Sequence, residues 1–283
     1  MNHIVRIRFR PWHLLALTIL LLVLLLLPGV AETAEPPAAM AALYTSLVDK
    51  RLELPEAEIL RYGELARQML QLARIQLDSA QYLVLVDRSP QVQAILLLWF
   101  TPQEAPVLIG ASPVSTGRIG EFEHFETPTG VFEHSTANPD FRAEGTRNEL
   151  GILGLGEQNM RVFDFGWQQA RRGWGENGMG TMRLLLHTTD PDLLEPRLGS
   201  VQSKGCIRIP ATLNRLLDRF GLLDADYEKA LLEGKHFWAL PTDRIAVAGA
   251  GRYLIVVDSQ RSERPDWSPA PFHPHRHAAP TTP

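Results

Sequence analysis

Apolar positions recur at helical spacing over Met40 to Lys50 and again from Glu56 to Asp78. In the second stretch Ile59, Leu60, Met69, Leu70, Leu72, Ala73 and Leu77 supply an interrupted apolar face. Pro55 suits a first helical position, and Glu56 and Glu58 suit the first turn. From Gln81 the texture changes to short runs of Val, Ile, Leu and aromatics with Pro or Gly between them, which predicts strands over Tyr82–Asp87, Gln93–Phe100, Val107–Ser115 and Val131–His134. Thr127-Pro128-Thr129-Gly130 predicts a turn. The Gly-rich stretch from Asn148 to Gly180 predicts a long loop, of a length usually functional or disordered. Met182–Leu186 then predicts a strand that ends at His187. Leu213, Leu216, Leu217 and Phe220 recur at helical spacing between Pro210 and Gly221, which mark the ends of a helix over Ala211–Phe220. A short helix over Asp226–Glu233 and closing strands over His236–Ala239 and Tyr253–Asp258 complete the pattern. Ser259 to Pro283, rich in Pro and His, predicts a disordered tail.

Composition narrows the classes. The chain has 283 residues, 45% of them hydrophobic, enough for one large domain or two small ones. A net charge of −4 gives no basic field that would draw nucleic acid, and no nucleic-acid partner is expected. At the N-terminus, Arg6, Arg8 and Arg10 precede an apolar run from Leu14 to Leu27, and Pro28-Gly29-Val30-Ala31 follows with small residues placed for a cut after Ala31. That is the pattern of a secretory signal peptide over 1–31. The alternative is an uncleaved N-terminal anchor touching the membrane, although the strictly apolar run falls short of the ~20 residues a spanning helix needs. Either way the remainder is expected outside the cytoplasm.

Cys206 is the sole cysteine, so no disulfide can form within one chain. A lone cysteine is more often a buried small hydrophobe than a nucleophile. Here Gly205 leaves its backbone unshielded, and His187 stands upstream at a strand end. A thiol and an imidazole brought together can attack a carbonyl, the imidazole taking and returning the proton. Three other clusters point nowhere in particular. Glu121-Phe122-Glu123-His124-Phe125-Glu126 mixes Glu and His at a spacing that matches no known ligand set and reads as a solvated loop. Gly173-Trp174-Gly175-Glu176-Asn177-Gly178 satisfies GxGxxG without the preceding strand and following helix of a dinucleotide site. His273, His275 and His277 alternate in the tail, where weak metal binding is the alternative to a disordered segment.

His187 followed by Ser203-Lys204-Gly205-Cys206-Ile207-Arg208 resembles the signature of the L,D-transpeptidase catalytic domain (YkuD-type). Tyr82–Asp87 resembles that family's first strand, and Pro113–Gly117 and Thr127–Phe132 its next landmarks, in the family's order over residues 80–258. One departure is plain: the family usually carries a second histidine where this chain has Lys204. The resemblance implies an α+β fold, mainly β with flanking helices: a catalytic β-sandwich over 80–258 preceded by a linker and helical segment over 32–79, with the tail from 259. The helical segment reads as a spacer or support, with a partner-binding arm as the alternative.

The implied chemistry is acyl transfer at peptidoglycan stem peptides in a bacterial periplasm or cell envelope, without a cofactor or a metal. Cys206 would attack the carbonyl of the third residue of a tetrapeptide, typically meso-diaminopimelate, and release the terminal D-alanine. The acceptor stays open: another stem peptide, a wall-attached lipoprotein, glycine, or water, the last giving a carboxypeptidase or amide hydrolase. A non-catalytic wall-binding scaffold is the alternative of another class. By the same resemblance His187 is the base, and the carbonyl of Thr188 orients it, with Asp190 a rival. Gly205 and Cys206 would offer amide donors to the oxyanion, and Ser203 would brace the loop. Arg208 would hold a substrate carboxylate, its alternative being a structural salt bridge. Lys204 is assigned an electrostatic part, favouring the thiolate or drawing in a carboxylate. Trp167 and Trp174 stand in the long loop either as substrate contacts or as buried packing.

Overall fold

The computed structural model describes residues 36–272, so the expected signal peptide and the histidines beyond 272 lie outside the described residues. The fold is mixed α+β and mostly strand, with two sheets. In chain order it runs α1 (Pro36–Leu47), α2 (Glu56–Leu72), β1 (Gln81–Asp87), β2 (Ala94–Phe100), β3 (Val107–Pro113), β4 (Gly130–Glu133), β5 (Phe141–Arg142), β6 (Arg161–Arg171), β7 (Met179–His187), a 3-10 turn (Glu195–Arg197), β8 (Ile207–Arg208), α3 (Ala211–Phe220), α4 (Ala225–Leu232) and β9 (Tyr253–Val257). The first sheet has the order β3-β2-β1-β9-β4, the second β5-β6-β7-β8. Among the described residues no helix is long and apolar enough to cross a membrane.

β1 is buried on both faces, which is why it reads as a nearly continuous apolar run rather than an alternating one. Tyr82, Val84 and Val86 face one core, which they share with Phe163 and Phe165 of β6, Leu184 and Leu186 of β7, and Leu213 and Leu217 of α3. Leu83 and Leu85 face the other, under Tyr62, Ala66 and Leu70 of α2. α1 adds Met40, Tyr44 and Val48 to the first core, and the Tyr44 hydroxyl bonds the Ser112 hydroxyl at 2.5 Å. Of the spacer and the support expected for this segment, the packing fits a support, because its apolar faces complete both cores.

Four expectations are corrected. α2 stops at Leu72, not near Asp78: Arg74 takes φ 58° and the Ile75 N–H turns back to the Leu70 carbonyl at 2.9 Å. His236–Ala239 forms no strand. The expected loop over 148–180 holds the longest strand described, β6. Residues 259–272, expected as disordered tail, pack back on the domain. Trp267 stands edge-on to Tyr62 with centroids 5.9 Å apart, and Arg261 pairs with Glu58. Arg264 donates to the Pro90 carbonyl at 2.7 Å, Ser268 to that of Gln91 at 3.0 Å, and the Phe272 N–H to the Ser200 hydroxyl at 2.8 Å.

A cluster of charges lies in the interior. Arg161, at the start of β6, has no exposed surface, and its guanidinium bonds Asp140 at 2.6 Å and Asp224 through two nitrogens at 2.9 and 2.7 Å. His134 is equally buried, with Nδ1 2.8 Å from the Leu223 carbonyl and Nε2 2.9 Å from Asp140 Oδ1. Both of those partners only accept, so both ring nitrogens carry hydrogen and the ring is an imidazolium. Burial opposes that charge, but the Asp140 carboxylate outweighs it and raises the pKa. Burial likewise opposes the charge on Asp140, and His134 and Arg161 outweigh it, lowering that pKa.

Two predictions follow from this packing. A group whose folded pKa is raised contributes fully below its unfolded value, ~6.5 for His, and loses that contribution as pH rises through the folded value. Asp140 acts at the other end: its contribution is complete above about pH 4 and is lost as pH falls. Breaking such a buried pair costs about 3 kcal/mol. His134→Gln should therefore be destabilised at pH 6 and show a flatter fall in stability from pH 6 to 9 than the parent; thermal unfolding across that range checks it, and parallel curves would refute it. Trp267→Ala should lose about 2 kcal/mol, less than the ~3–5 of a fully buried aromatic because Trp267 is partly exposed. That corresponds to a fall in Tm of about 4–8 °C. A chain ended after Asp258 with an unchanged Tm would show that the packed tail contributes nothing.

Candidate active site

The site lies on the outer face of the second sheet. Its strands alternate, so Phe163 and Phe165 of β6, Leu184 and Leu186 of β7, and Ile207 of β8 point into the core. The intervening strand residues, Asp164, Arg183, Leu185, His187 and Arg208, alternate with them, and Cys206, just before β8, is partly buried and packs against the edge of the same core. Register then brings the sequence-predicted residues together: Leu186 pairs with Ile207 and His187 with Arg208 in a parallel ladder, so Cys206 falls beside Leu185. The Cys206 thiol reaches the Arg183 carbonyl at 3.6 Å.

His187 is buried, and its Nδ1 hydrogen-bonds the Thr188 carbonyl. A carbonyl only accepts, so Nδ1 carries the hydrogen and Nε2 keeps a lone pair. Burial, with the nearby Arg208 guanidinium, lowers the imidazole pKa to about 4. Burial pushes the Cys206 thiol up, against the Leu185 N–H and Arg208, which favour the thiolate, and with Asp164, which opposes it. At neutral pH both groups are thus uncharged, and the imidazole keeps a nitrogen able to accept a proton. Asp190 does not orient the ring. It is fully buried, and its carboxylate takes the N–H groups of Leu153 at 3.0 Å, Asp192 at 3.1 Å and Leu193 at 2.8 Å.

The nucleophile loop is held by neutral hydrogen bonds. The Ser203 hydroxyl donates to the Cys206 carbonyl at 2.5 Å and accepts the Gly205 N–H at 3.0 Å. The Thr127 hydroxyl donates to the Gly205 carbonyl at 2.6 Å and accepts the Gly117 N–H at 2.8 Å. Gly205 takes φ 131°, and a Cβ there would meet the Met182 sulfur at 2.8 Å, so both conformation and space require glycine. The expectation that the Gly205 amide serves an oxyanion is corrected: Ser203 already occupies it. Of the two amides, that of Cys206 remains the candidate.

Arg208 is largely buried, and burial lowers its pKa. Its side chain reaches the Gln202 carbonyl at 3.4 Å, its Nε has no partner, and it makes no ion pair among the described residues. The structural salt bridge weighed as its alternative role is therefore absent from the described residues. Lys204, expected to act electrostatically, has an exposed ammonium that pairs with exposed Glu123 at 3.2 Å. Trp174 packs edge-on against Phe125 with centroids 4.8 Å apart, at the rim of the loop, and Trp167 is 67% exposed. Among the described residues no group of three or more His, Cys, Asp or Glu is placed to hold a metal.

Sequence reasoning missed Asp164 and Arg183, which form an ion pair on the same face. The signal was present as alternation in Val162-Phe163-Asp164-Phe165, a charge at a strand position between two aromatics. A cavity of about 450 Å³ is lined by residues between Phe141 and Gly156, including Arg142, Arg147, Ile152 and Leu155. It meets the sheet at Phe141, over whose ring the Arg183 guanidinium sits at 6.0 Å. No protein-family model matches the chain, and no curated protein matches it either.

Alkylation of Cys206 by iodoacetamide, which requires the thiolate, should rise with a midpoint above the ordinary thiol value of ~8.5. Lys204→Met should change the rate at any pH less than about twofold, since an exposed, already paired ammonium contributes a few tenths of a kcal/mol. A midpoint below 7 would mean an imidazolium–thiolate pair, and a shift of the whole curve in Lys204→Met would place that ammonium at the sulfur.

Proposed function

We propose that the chain is an exported cysteine acyltransferase of cell-wall peptides, an L,D-transpeptidase with a β-sandwich catalytic domain, working in a bacterial periplasm or envelope. The observation that carries the reading is the β7–β8 ladder that sets Arg208 against His187 with Cys206 just before it: a thiol, an imidazole whose free nitrogen can accept, and a guanidinium without a counter-ion that acts on both. A buried guanidinium left unpaired is costly, and a substrate carboxylate received through two parallel bonds would satisfy it. The resemblance of Ser203 to Arg208 and of the strands before them supplies the substrate class.

In this mechanism Cys206 Sγ attacks the carbonyl carbon of the third stem residue while His187 Nε2 takes the thiol proton. Because the resting pair is neutral, attack and proton transfer are coupled, and no thiolate need be stored beforehand. The Cys206 N–H donates to the developing oxyanion. Collapse breaks the C–N bond, and the imidazolium gives its proton to the departing D-alanine amine. The thioester that remains is attacked by an acceptor amine, whose proton passes to His187 and then to the sulfur as the C–S bond breaks. The Nδ1–H bond to Thr188 holds one tautomer through the cycle, which a base that alternates roles requires.

Mass spectrometry of the full chain with tetrapeptide muropeptides tests the reading. A mass gain on Cys206 equal to the acyl tripeptide, with D-alanine released, is the expected result. Cys206→Ala should form no adduct, and His187→Ala should slow acylation at least ~10²-fold. Product with and without added amine separates transfer from hydrolysis. A reactive, accessible thiol that never acquires the acyl group would sink the proposal.

A further inference from the structure

The cavity beside Phe141 is walled by the loop that leaves β5 and comes back at Gly156, a hairpin whose arms meet at an Arg147–Leu153 bridge. Asn148 closes its tip. The Asn148 N–H donates to the Ile152 carbonyl at 3.0 Å, and its side-chain oxygen takes the N–H groups of Leu150 at 2.9 Å and Ile152 at 3.0 Å. Buried Asp190 ties the arms further, through the Leu153 N–H and Arg147. Phe141 and Leu155 join Val162 of β6 and Leu185 of β7 in a small apolar cluster of their own. A hollow of about 450 Å³ bounded by so many ties is preformed, and it has the size of a ligand pocket. Gly154 also lines it. Nothing lies within 4 Å of where a Cβ on Gly154 would stand, and its φ is outside the left-handed range, so the fold tolerates a side chain there.

The near wall of this cavity adjoins the residue that orients the base. The Thr188 hydroxyl donates to the Leu155 carbonyl at 3.0 Å, and a Cβ on Gly156 would overlap that hydroxyl. Register places the far wall. Phe141 pairs with Val162, Phe163 with Leu186 and His187 with Arg208, so Phe141, Val162, His187 and Arg208 form one row across the sheet. The cavity thus extends from one to three strand spacings from β8, about 5 to about 14 Å. Its cations are already neutralised: Asp218 holds Arg142 through two nitrogens at 2.5 and 3.0 Å, and Asp190 lies 3.3 Å from Arg147. Among the described residues Glu144 makes no ion pair, the Thr146 hydroxyl makes no hydrogen bond, and the Asn148 side-chain nitrogen donates to nothing.

We propose that this cavity is a subsite for a sugar ring, the ring of the glycan from which the attacked peptide hangs. The free groups suit an uncharged ligand that both donates and accepts. The Glu144 carboxylate takes sugar hydroxyls, the Thr146 hydroxyl serves in either sense, and the Asn148 amide donates to a ring substituent. Ile152 and Leu155 meet the apolar C–H face of the ring. An anion would find no unpaired cation here and would face Glu144; a cation would find a single exposed carboxylate, a pairing of at most ~1 kcal/mol. Reach agrees with this. The attacked carbonyl belongs to the third residue of a stem, and three extended residues lead back ~10 Å to the glycan, within the span of the cavity. The subsite rests on the acyl-transfer reading only for its use; binding of a free sugar does not need the reaction.

Saturation-transfer NMR with the full chain tests it. The probes are N-acetylglucosamine, the same sugar carrying a phosphate, and a free tetrapeptide. N-acetylglucosamine should bind, and its phosphorylated form at least threefold more weakly. Gly154→Trp, which fills the cavity, should weaken the sugar at least tenfold with no change in Tm. Glu144→Gln and Thr146→Ala, both at exposed positions, should each weaken it about threefold, the loss of one hydrogen bond, and they keep the test valid if the tryptophan disturbs the hairpin. No binding of the sugar, binding that ignores all three substitutions, tighter binding of the phosphorylated form, or displacement of the sugar by the free tetrapeptide would overturn the proposal. The thioester measurement stays separate. An adduct on Cys206 without sugar binding rejects the subsite alone, and sugar binding that Gly154→Trp abolishes, without an adduct, rejects the acyl-transfer reading alone.

Discussion

Arg161 is the group on which the rest depends. A guanidinium with no exposed surface cannot shed its proton, so the chain must surround it with acceptors or not fold. It does so with Asp140, Asp224 and, at 3.4 Å, Asp218, which come from three separate stretches of chain. Asp218 sits in α3 and Asp224 just before α4, so one side chain fixes both helices to the start of β6. Asp140 is shared further: Oδ1 also takes the Asp164 N–H at 2.9 Å, and the carboxylate holds His134. The buried charge network thus reaches the backbone of β6 at Asp164. The position of β6, and with it everything arrayed on the outer face of the second sheet, follows from satisfying one buried cation.

The same low-polarity setting shapes the nucleophile. Burial penalises charge on either partner of the Cys206–His187 pair, pushing the thiol up and the imidazole down. Arg208 works on both: it favours a thiolate and disfavours an imidazolium. A resting ion pair would need the imidazolium, so the guanidinium beside it argues for a neutral pair that transfers its proton during attack. Once a substrate carboxylate neutralised Arg208, the penalty on the imidazolium would ease. On the proposed acyl-transfer reading, binding such a substrate would help create the charge that the reaction needs, an electrostatic coupling that requires no movement of the fold.

Legibility in the sequence followed how local each cause was. β1, β2, β3, β9 and α3 were readable because apolar period and terminal Pro or Gly residues determine them nearby. The resemblance singles out His187 and Cys206, and what sets β7 against β8 is a two-residue parallel ladder that no local pattern encodes. β6 was misread because Gly166, Gly173, Gly175 and Gly178 dominate the composition of its neighbourhood, while its strand character rests on pairing with β7 and on a bulge. The packing of 259–272 was missed for a different reason. That stretch has little apolar surface of its own, and it is held by Trp267 against Tyr62 and by side chains that reach carbonyls far away in sequence, such as Pro90 and Gln91. The engagement of the Gly205 amide was equally hidden, since a serine two residues earlier reads as a brace without saying which hydrogen it takes.

Lys204 shows what such a brace permits. The loop between Ser203 and Cys206 is fixed on one side by the Ser203 hydroxyl and on the other by that of Thr127, each making one bond as donor and one as acceptor. The Lys204 backbone adds a third tie, its carbonyl receiving the Phe125 N–H at 3.0 Å. None of these contacts uses the side chain at 204, which points to solvent and meets Glu123 there. The loop's shape therefore does not depend on what residue 204 is, and neither does the orientation of the base, which Thr188 fixes from the other strand. On the proposed reading, a position whose side chain makes none of the loop's ties can exchange an imidazole for an ammonium while Cys206, His187 and Arg208 keep their geometry.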